Sequence, residues 1–451
     1  MITQNTNLDF NEGFNDQTDI FNRVGIYKSI INLCENSPEK NLVLALDDQW
    51  GEGKTTFVQM MKGQIEKDCG DKFNAIYFDA FENDFHSDPF ISISAEFYSL
   101  IEKKDSKLEK FKDSFVKITK KVGAATLIGG LKAVINTSSL GLVNGDKVVD
   151  ASVEAAKNAS ENLTSSLEQY IQKKITTANE EKKDISTFKA TLSEMHIESG
   201  KKTIFIIDEL DRARPDYSLD LLEKIKHLFS VEGVVFLLVM NRAQFEKCIE
   251  KRYGYIDSSA YLNKFINFYF TLPKISQHEI TDRNQHRNTT IHRYIRELVD
   301  GKNLLSINGT LHNSLSYLLG SNGCSLRECE RCLSLLSAIR NPQDTIMYMD
   351  DFAVALAFII FLKVKNPVLL ERFLQKKIDF QNLTTEIVIF NNSSIKIEAA
   401  DLLTNVINFH YLTTEDLKKD FNKNRFSDFL YPQYENPFVY FNSKVKNFSL
   451  S

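Results

Sequence analysis

Four short apolar runs divide the chain and predict buried β-strands at residues 42–46, 75–78, 203–207 and 234–240. Each run is apolar at successive positions, which is typical of a strand covered on both faces, as in a parallel sheet. Stretches with helical periodicity lie between the runs. Strands that alternate with helices in this way predict a doubly wound α/β domain.

The segment between the second and third predicted strands is unusually long. Residues 88–200 are rich in Ser, Ala, Lys and Glu and show no convincing strand pattern, so they predict a helical insertion. Within it, an apolar stripe from Val149 to Tyr170 is interrupted at Ser160. Because fewer than about four clean heptads are present, the stripe favours a helix packed on its own domain over an intermolecular coiled coil.

Another stretch of the insertion, residues 122–131, is apolar and rich in small residues. Lys132 ends it well short of the roughly 20 residues that a helix needs to span a bilayer. We therefore expect a packed helix here rather than a membrane anchor, with attachment to a membrane left open as the alternative.

Helical periodicity returns after Pro273 and predicts amphipathic helices at 291–298, 311–319, 326–339 and 352–364. These helices indicate a lid or C-terminal domain. The predicted division of the chain is an α/β core in two parts at 1–87 and 201–275, the helical insertion at 88–200, a helical lid at 276–365 and a C-terminal domain of unknown role at 366–451.

Composition and charge narrow the class of protein. The 451 residues are 43% hydrophobic and 25% charged, which is typical of a soluble globular protein. The net charge of −5 gives no overall positive field, so nucleic acid is not indicated as a partner, and the lysines at 117–121 and 173–183 fit solvated helix faces. Six cysteines are few for this length, and the N-terminus has no apolar signal sequence, so we expect a cytoplasmic protein.

Three of the cysteines lie close together, at Cys324, Cys329 and Cys332. A structural zinc needs four ligands, and neither a histidine nor a fourth cysteine stands at a useful spacing nearby. We therefore expect buried thiols packed in a helix rather than a metal site.

A phosphate-binding pattern follows the first predicted strand, in the sequence Asp48-Gln49-Trp50-Gly51-Glu52-Gly53-Lys54-Thr55-Thr56. In the pattern GxxxxGK[ST], backbone N–H groups surround the phosphates, the lysine neutralises the β and γ oxygens, and the next hydroxyl binds Mg²⁺. Lys54 and Thr55 take these roles, and Gly51 and Gly53 let the backbone approach the phosphates closely. The pattern predicts a nucleotide site.

One position departs from this pattern, because Asp48 stands where the first glycine is usual. Aspartate tolerates left-handed backbone dihedrals better than most residues, so the turn is feasible. We expect its carboxylate to point away from the phosphates, since a facing negative charge would weaken nucleotide binding.

The third predicted strand ends in two carboxylates, Asp208 and Glu209, which is the form of a Walker B element. We assign Asp208 to the Mg²⁺ ion, held through its water shell, and Glu209 to the attacking water as general base. A solvated acidic pair that closes a strand is the alternative, and the phosphate-binding pattern upstream disfavours it.

The next predicted strand ends at Asn241, which is the candidate sensor for the γ-phosphate or the lytic water. A simple turn residue is the alternative, because asparagine is common in turns. Four arginines offer a positive charge for the transition state, within the subunit or across an interface. The sequence does not choose among them: Arg212, Arg242, Arg252 and Arg327.

Several separated segments together resemble the KAP family of P-loop NTPases, a group similar to the AAA+ and STAND ATPases. The run from Trp50 to Thr55 is similar to the family P-loop, and Asp208-Glu209-Leu210-Asp211-Arg212 resembles its Asp-Asp-Leu-Asp-Arg block. Residues 77–84 resemble its second strand, and residues 261–273 resemble the segment that closes its core. Ser325-Leu326-Arg327-Glu328 resembles its Ser-Pro-Arg-Glu lid helix, which makes Arg327 the candidate second sensor.

The resemblance implies an α/β P-loop NTPase fold, with a parallel sheet, a long helical insertion between the Walker A and Walker B motifs, and a C-terminal helical lid. It further implies an ATP-hydrolysing switch with ATP and Mg²⁺ as cofactors, where the choice of ATP over GTP rests on the family alone. Lys54, Glu209, Asn241 and Arg327 would then be the catalytic residues.

Many bacterial KAP proteins resemble components of anti-phage defence systems, which implies a defence role for this chain. No nuclease, deaminase or protease centre is evident in the sequence, so the effector would be a separate protein, and a homo-oligomer is compatible with the pattern. Two other functions stay open, an ATP-binding assembly scaffold with little turnover and a nucleic-acid-stimulated motor. Asp48 favours the scaffold, Glu209 argues against it, and net charge disfavours the motor.

Overall fold

The structure is a computed structural model of the chain. It describes residues 9–36, 42–86, 88–103, 108–122, 179–180, 182–274, 289–300, 309–339, 349–389, 398–412 and 436–448. Contacts divide the chain into two units. The sheet unit comprises the described residues within 28–47 and 58–271, and the helical unit comprises those within 1–27, 48–57 and 272–451.

The sheet unit contains five strands, β1 (Leu42–Asp47), β2 (Phe73–Asp79), β3 (Lys202–Asp208), β4 (Val234–Met240) and β5 (Phe268–Phe270). The strands are parallel, in the order β2-β3-β4-β1-β5. The four predicted strands and the parallel α/β class are confirmed. Sequence analysis missed β5, because this edge strand has only three residues and none of them is buried.

The central strands are covered on both faces, as their continuous apolar sequences predict. All seven residues of β4 are buried, and so are residues 203–208 of β3. Because the strands are parallel, their carboxyl ends lie at one edge of the sheet, where β1 ends at Asp47 and β3 ends at Asp208. This edge of the sheet unit carries the predicted acidic residues.

The helices before β5 are α1 (Val24–Asn36), α2 (Lys54–Asp68), α3 (Pro89–Lys103), α4 (112–122), α5 (182–199), α6 (Pro215–Leu228), α7 (Arg242–Tyr253) and α8 (Ser258–Leu262). Short 3-10 helices lie at Phe10–Glu12 and Glu109–Phe111. The described part of the predicted insertion is helical and holds no strand. Residues 123–131 and the stripe from Val149 to Tyr170 lie outside the described residues.

The helical unit holds α9 (Thr290–Asp300), α10 (Gly309–Ser321), α11 (Leu326–Ile339), α12 (Asp350–Lys365), α13 (Pro367–Leu374), α14 (Phe380–Glu386), α15 (Glu398–Tyr411) and α16 (Pro437–Val445). The four helices predicted after Pro273 are confirmed. One hydrophobic cluster extends from Ile291 to Val445 and therefore includes residues of both the predicted lid and the predicted C-terminal domain. The boundary at 365 and the other predicted domain boundaries stay predictions.

Helix α12 is buried along its length rather than amphipathic, so that part of the prediction was wrong. Residues 352–362 are all buried, because α12 contacts α10, α11, α13, α15 and α16. A helix that is apolar on every side is buried within other elements or a membrane. The 16 residues of α12 fall short of the roughly 20 needed to span a bilayer, and none of the helices in the described ranges is long and apolar enough to do so.

Candidate functional site

The predicted phosphate-binding loop leaves β1 after Asp47 and enters α2 at Lys54. Gly51 and Gly53 both have left-handed backbones, with φ of +84° and +81°. Glycine adopts these angles without the steric cost that a Cβ imposes. The Gly53 carbonyl accepts a hydrogen bond from the Phe57 amide at 3.0 Å. The loop therefore leads directly into the amino terminus of a helix, where backbone amides favour anions.

The ammonium group of Lys54 is held on this loop by backbone oxygens. Its Nζ donates to the carbonyl oxygens of Asp48 and Gln49 at 2.6 and 3.0 Å. Thr55 and Thr56 follow in the first turn of α2 and are half-buried, whereas Trp50 is exposed. The loop backbone thus positions the cation that the motif assigns to phosphate.

Arg23 lies against the backbone of the same loop, and sequence analysis missed it. Its Nη1 donates to the Glu52 carbonyl at 3.1 Å and lies 3.2 Å from the position that a Cβ on Gly53 would take. The guanidinium stacks over the Phe21 ring at 4.5 Å. Burial lowers the pKa of Arg23 to about 10, which leaves it charged at neutral pH. No local sequence pattern marks an arginine so far from the motif.

The carboxylate of Asp48 is engaged by Lys274, which follows β5. Asp48 Oδ1 accepts from Lys274 Nζ at 2.7 Å and from the Gln49 amide at 2.8 Å. Lys274 Nζ also lies 3.4 Å from Oε1 of Glu52. Burial raises the pKa of Glu52, and the nearby Lys274 opposes that rise. Where the Asp48 carboxylate lies relative to phosphates stays a prediction.

The start of α11 lies directly on the loop. A Cβ on Gly51 would be 2.8 Å from Cβ of Arg327 and 3.2 Å from Oγ of Ser325. Ser325 and Glu328 form a reciprocal capping box, in which the Ser325 amide donates to Glu328 Oε2 at 2.7 Å and the Glu328 amide donates to Ser325 Oγ at 3.3 Å. The predicted second sensor, Arg327, therefore sits on a capped helix start that contacts the P-loop.

In the sheet unit, Asp208 ends β3 with a side chain that is fully enclosed and hydrogen-bonded. The residue is 1% exposed, and its Oδ1 accepts from the Glu209 amide at 2.8 Å. Its Oδ2 accepts from the hydroxyl of Tyr77 on β2 at 3.0 Å. Burial and the Asp208 charge hold the pKa of Tyr77 well above its usual range, so the phenol stays a donor. Sequence analysis missed this pair, for which the only cue is a tyrosine near the end of an apolar strand.

Glu209 has a left-handed backbone, with φ of +56°. This conformation costs a residue with a Cβ roughly 1–2 kcal/mol, and such strain is concentrated at functional sites. Its Oε2 lies 2.7 Å from Nε of Arg212. Burial raises the pKa of Glu209, and the Arg212 cation opposes that rise. The geometry thus presents a carboxylate whose basicity exceeds that of an ordinary glutamate.

Asn241 caps α7 through its side chain, which accepts from the Gln244 amide at 3.3 Å. The cap explains an asparagine at this strand end, and its role as sensor stays a prediction. At the same strand end, the Arg242 amide donates to Asp47 Oδ1 at 2.9 Å, which joins the ends of β4 and β1.

The arginine candidates occupy different surroundings. Arg242 Nε donates to Glu246 at 2.8 Å, and Nη1 of the exposed Arg252 lies 3.1 Å from an oxygen of Asp216. Arg212 instead pairs with Glu209, and Arg327 contacts the P-loop. The structure therefore places two of the four beside predicted site residues.

Each of the two predicted Mg²⁺ ligands offers the oxygen donor that a hard divalent cation prefers. Thr55 supplies a hydroxyl and Asp208 a carboxylate, both of which are oxygen ligands of the kind that Mg²⁺ prefers. Within the described ranges, no group of three or more His, Cys, Asp or Glu residues could hold a metal by itself. Mg²⁺ needs no such group, because it is usually bound by one or two carboxylates together with water and substrate phosphates. Cys329 and Cys332 are buried in α11, as expected of packed thiols.

The loop between β1 and α2 contains two glycines with positive φ, and an acidic pair lies at the end of another parallel strand. Together these features define a P-loop nucleotide-binding protein. The family model described as the KAP family P-loop domain matches residues 23–358. The chain therefore belongs to the KAP family of P-loop NTPases.

Comparison with curated proteins finds no match. Solved structures of the Aeropyrum pernix ORC2 protein, in its ADP form and in ADPNP-ADP complexes, are 11% and 10% identical to this chain. Each alignment covers 94% of this chain and 84% of that chain with a TM-score of 0.35. A TM-score this low supports no argument about fold or function.

We predict that Gly51→Ala destabilises the protein more than Gly323→Ala does. Both glycines have a positive φ, of +84° and +58°, so each alanine should cost roughly 1–2 kcal/mol of backbone strain. Only Gly51 faces a neighbour, and the clash with Arg327 should add about 1 kcal/mol or more. Urea unfolding of the two variants measures the difference. Equal destabilisation would show that α11 does not pack on the loop in solution.

Proposed function

We propose that this protein is a Mg²⁺-dependent ATPase that acts as a molecular switch. The observation that carries the proposal is the loop itself, in which left-handed glycines, the amino terminus of α2 and the held Lys54 ammonium converge. In this proposal the loop amides and Lys54 bind the phosphates of ATP, including the position where charge develops during hydrolysis.

Thr55 and Asp208 would hold Mg²⁺, which when bound neutralises phosphate charge. The Tyr77 hydroxyl fixes one oxygen of Asp208, and the Glu209 amide fixes the other, so the carboxylate has one defined orientation. Its burial at 1% exposure would be costly without those two donors.

Glu209 is the proposed general base, which accepts a proton from the attacking water at a carboxylate oxygen. Its raised pKa brings its basicity closer to neutral pH, which favours proton transfer. The Arg212 cation opposes that rise and orients the carboxylate through the 2.7 Å contact with its Oε2. Asn241 and Arg327 are the proposed first and second sensors.

Communication with the lid follows from the contact between Gly51 and the start of α11. The contact leaves no room for a Cβ, so a shift of the loop on nucleotide binding must also move Ser325 and Arg327. We therefore propose that α11 reports the nucleotide state to the rest of the helical unit.

The biological role we propose is a component of a bacterial anti-phage defence system, working with separate protein partners. This role is supported by the resemblance to bacterial KAP proteins.

We predict that Lys54→Ala impairs ATP binding, whereas Glu209→Gln impairs ATP hydrolysis. Loss of the Lys54 charge should weaken ATP binding by about 10- to 100-fold, because charged hydrogen bonds to phosphate are lost. Glu209→Gln should retain binding and lower kcat by about 10²- to 10⁴-fold. Fluorescent-nucleotide titration and phosphate release measure the two effects. Lys67→Ala, an exposed lysine near the end of α2, is the control, and unchanged ATP affinity in Lys54→Ala would refute the site.

We predict that Arg212→Ala moves the acid limb of the kcat profile to higher pH. The active form of Glu209 is the carboxylate, so activity is lost as pH falls through its raised pKa. Removal of the Arg212 cation raises that pKa further, and the loss then begins at a higher pH. Arg252→Ala, which alters an exposed arginine paired with Asp216, should leave the limb in place. If the acid limb of the Arg212→Ala profile lies at the same pH as in the wild type, Glu209 is not the general base.

We predict that the wild-type gene, expressed with its genomic neighbours in a bacterial host, reduces phage plating and that Lys54→Ala abolishes the protection. Nucleotide binding is required because it drives the proposed switch. Plaque counts over a panel of phages, with protein levels matched by immunoblot, make the comparison. Equal protection by Lys54→Ala would separate any defence role from this site.

A further inference from the structure

The P-loop carries two carboxylates that are almost fully enclosed. The side chains of Asp48 and Glu52 are each 7% exposed, and both belong to the loop that is expected to receive phosphates. Buried carboxylates beside a polyanion oppose its binding, because like charges repel strongly where water is excluded. The loop therefore needs a compensating positive charge besides Lys54.

Lys274 is placed to supply that charge to both groups. Its Nζ is 2.7 Å from Asp48 Oδ1 and 3.4 Å from Glu52 Oε1, whereas its own side chain is 38% exposed. The ammonium thus bridges the two carboxylates from the solvent side.

Arg23 is another cation near this loop, and its contacts differ from those of Lys274. Arg23 uses Nη1 to donate to the backbone oxygen of Glu52, and its Nε and Nη2 are buried without a hydrogen-bond partner in the described structure. Oδ2 of Asp48 is likewise buried without a partner there. Arg23 therefore contributes charge at a distance, and among the described cations it is Lys274 that contacts the Asp48 carboxylate.

We propose that Lys274 is a positioning residue for the nucleotide, which neutralises Asp48 and Glu52 and thereby permits an aspartate where P-loops usually have their first glycine. This inference rests on the proposed nucleotide-binding function. Its specific consequence is epistasis, because Lys274 should matter much more for nucleotide binding while residue 48 carries a negative charge than when Glu52 alone remains to be neutralised.

The test is a double-mutant cycle on the full chain with a fluorescent, non-hydrolysable ATP analogue. Lys274→Met removes the charge but keeps most of the side-chain length, and Asp48→Asn removes the opposing charge at constant shape. Lys274→Met should weaken binding by roughly 10-fold or more in the wild-type background and by about 3-fold or less in the Asp48→Asn background. Lys274→Arg should bind within about 3-fold of wild type, since it retains the charge.

Two controls separate this role from a general loss of structure. Arg372→Ala breaks another half-exposed ion pair of the helical unit, with Glu386, and should leave affinity unchanged. Urea unfolding midpoints show whether each variant is folded, and if Lys274→Met does not fold, Lys274→Gln takes its place in the cycle.

The possible results are distinct. A larger loss of affinity with Asp48 present than with Asn at that position supports the inference. An equal loss in both backgrounds, or no loss in either, overturns it and leaves the proposed nucleotide site standing. No binding of the analogue by the wild-type chain would overturn the proposed function and this inference with it.

Discussion

The left-handed backbone at Gly51 and Gly53 is the constraint on which the site depends. It turns the chain from the end of β1 into α2 within six residues and brings the loop carbonyls onto Lys54. The absence of a Cβ at Gly51 also lets the start of α11 pack against the loop. One backbone conformation therefore serves both the phosphate-binding chemistry and the connection to the helical unit.

Three acidic side chains of the candidate site, Asp48, Asp208 and Glu209, contact different donors, and the pairings have different physical effects. Lys274 forms an ion pair with Asp48, the Tyr77 hydroxyl orients Asp208 without removing its charge, and the Arg212 cation opposes the rise that burial causes in the pKa of Glu209. Enclosure makes an unpaired carboxylate costly, so these donors decide which acids can remain charged. This difference supports the proposed assignments of metal ligand, base and charge-compensated acid.

The KAP family match ends at residue 358, within α12, but the hydrophobic cluster continues to Val445. Helix α12 is enclosed by helices on both sides of that point in the chain, among them α10 and α16. The rings of Phe373 and Phe438 pack on Phe358 at 5.1 and 5.9 Å. The C-terminal helices therefore complete the core around the matched domain's last helix, whatever further role they have.

The sequence alone determined the features that depend on local chemistry. Continuous apolar runs identified β1 to β4, and the spacing of Gly51, Gly53, Lys54 and Thr55 identified the loop, because backbone geometry and a phosphate cradle are encoded by neighbouring residues. Only the tertiary structure paired Asp48 with Lys274, 226 positions away, and Asp208 with Tyr77, 131 positions away. It alone showed that α12 is enclosed and that Arg23 lies on the loop. Such contacts depend on where the folded chain brings distant segments, and periodicity in one segment carries no record of its neighbours in space.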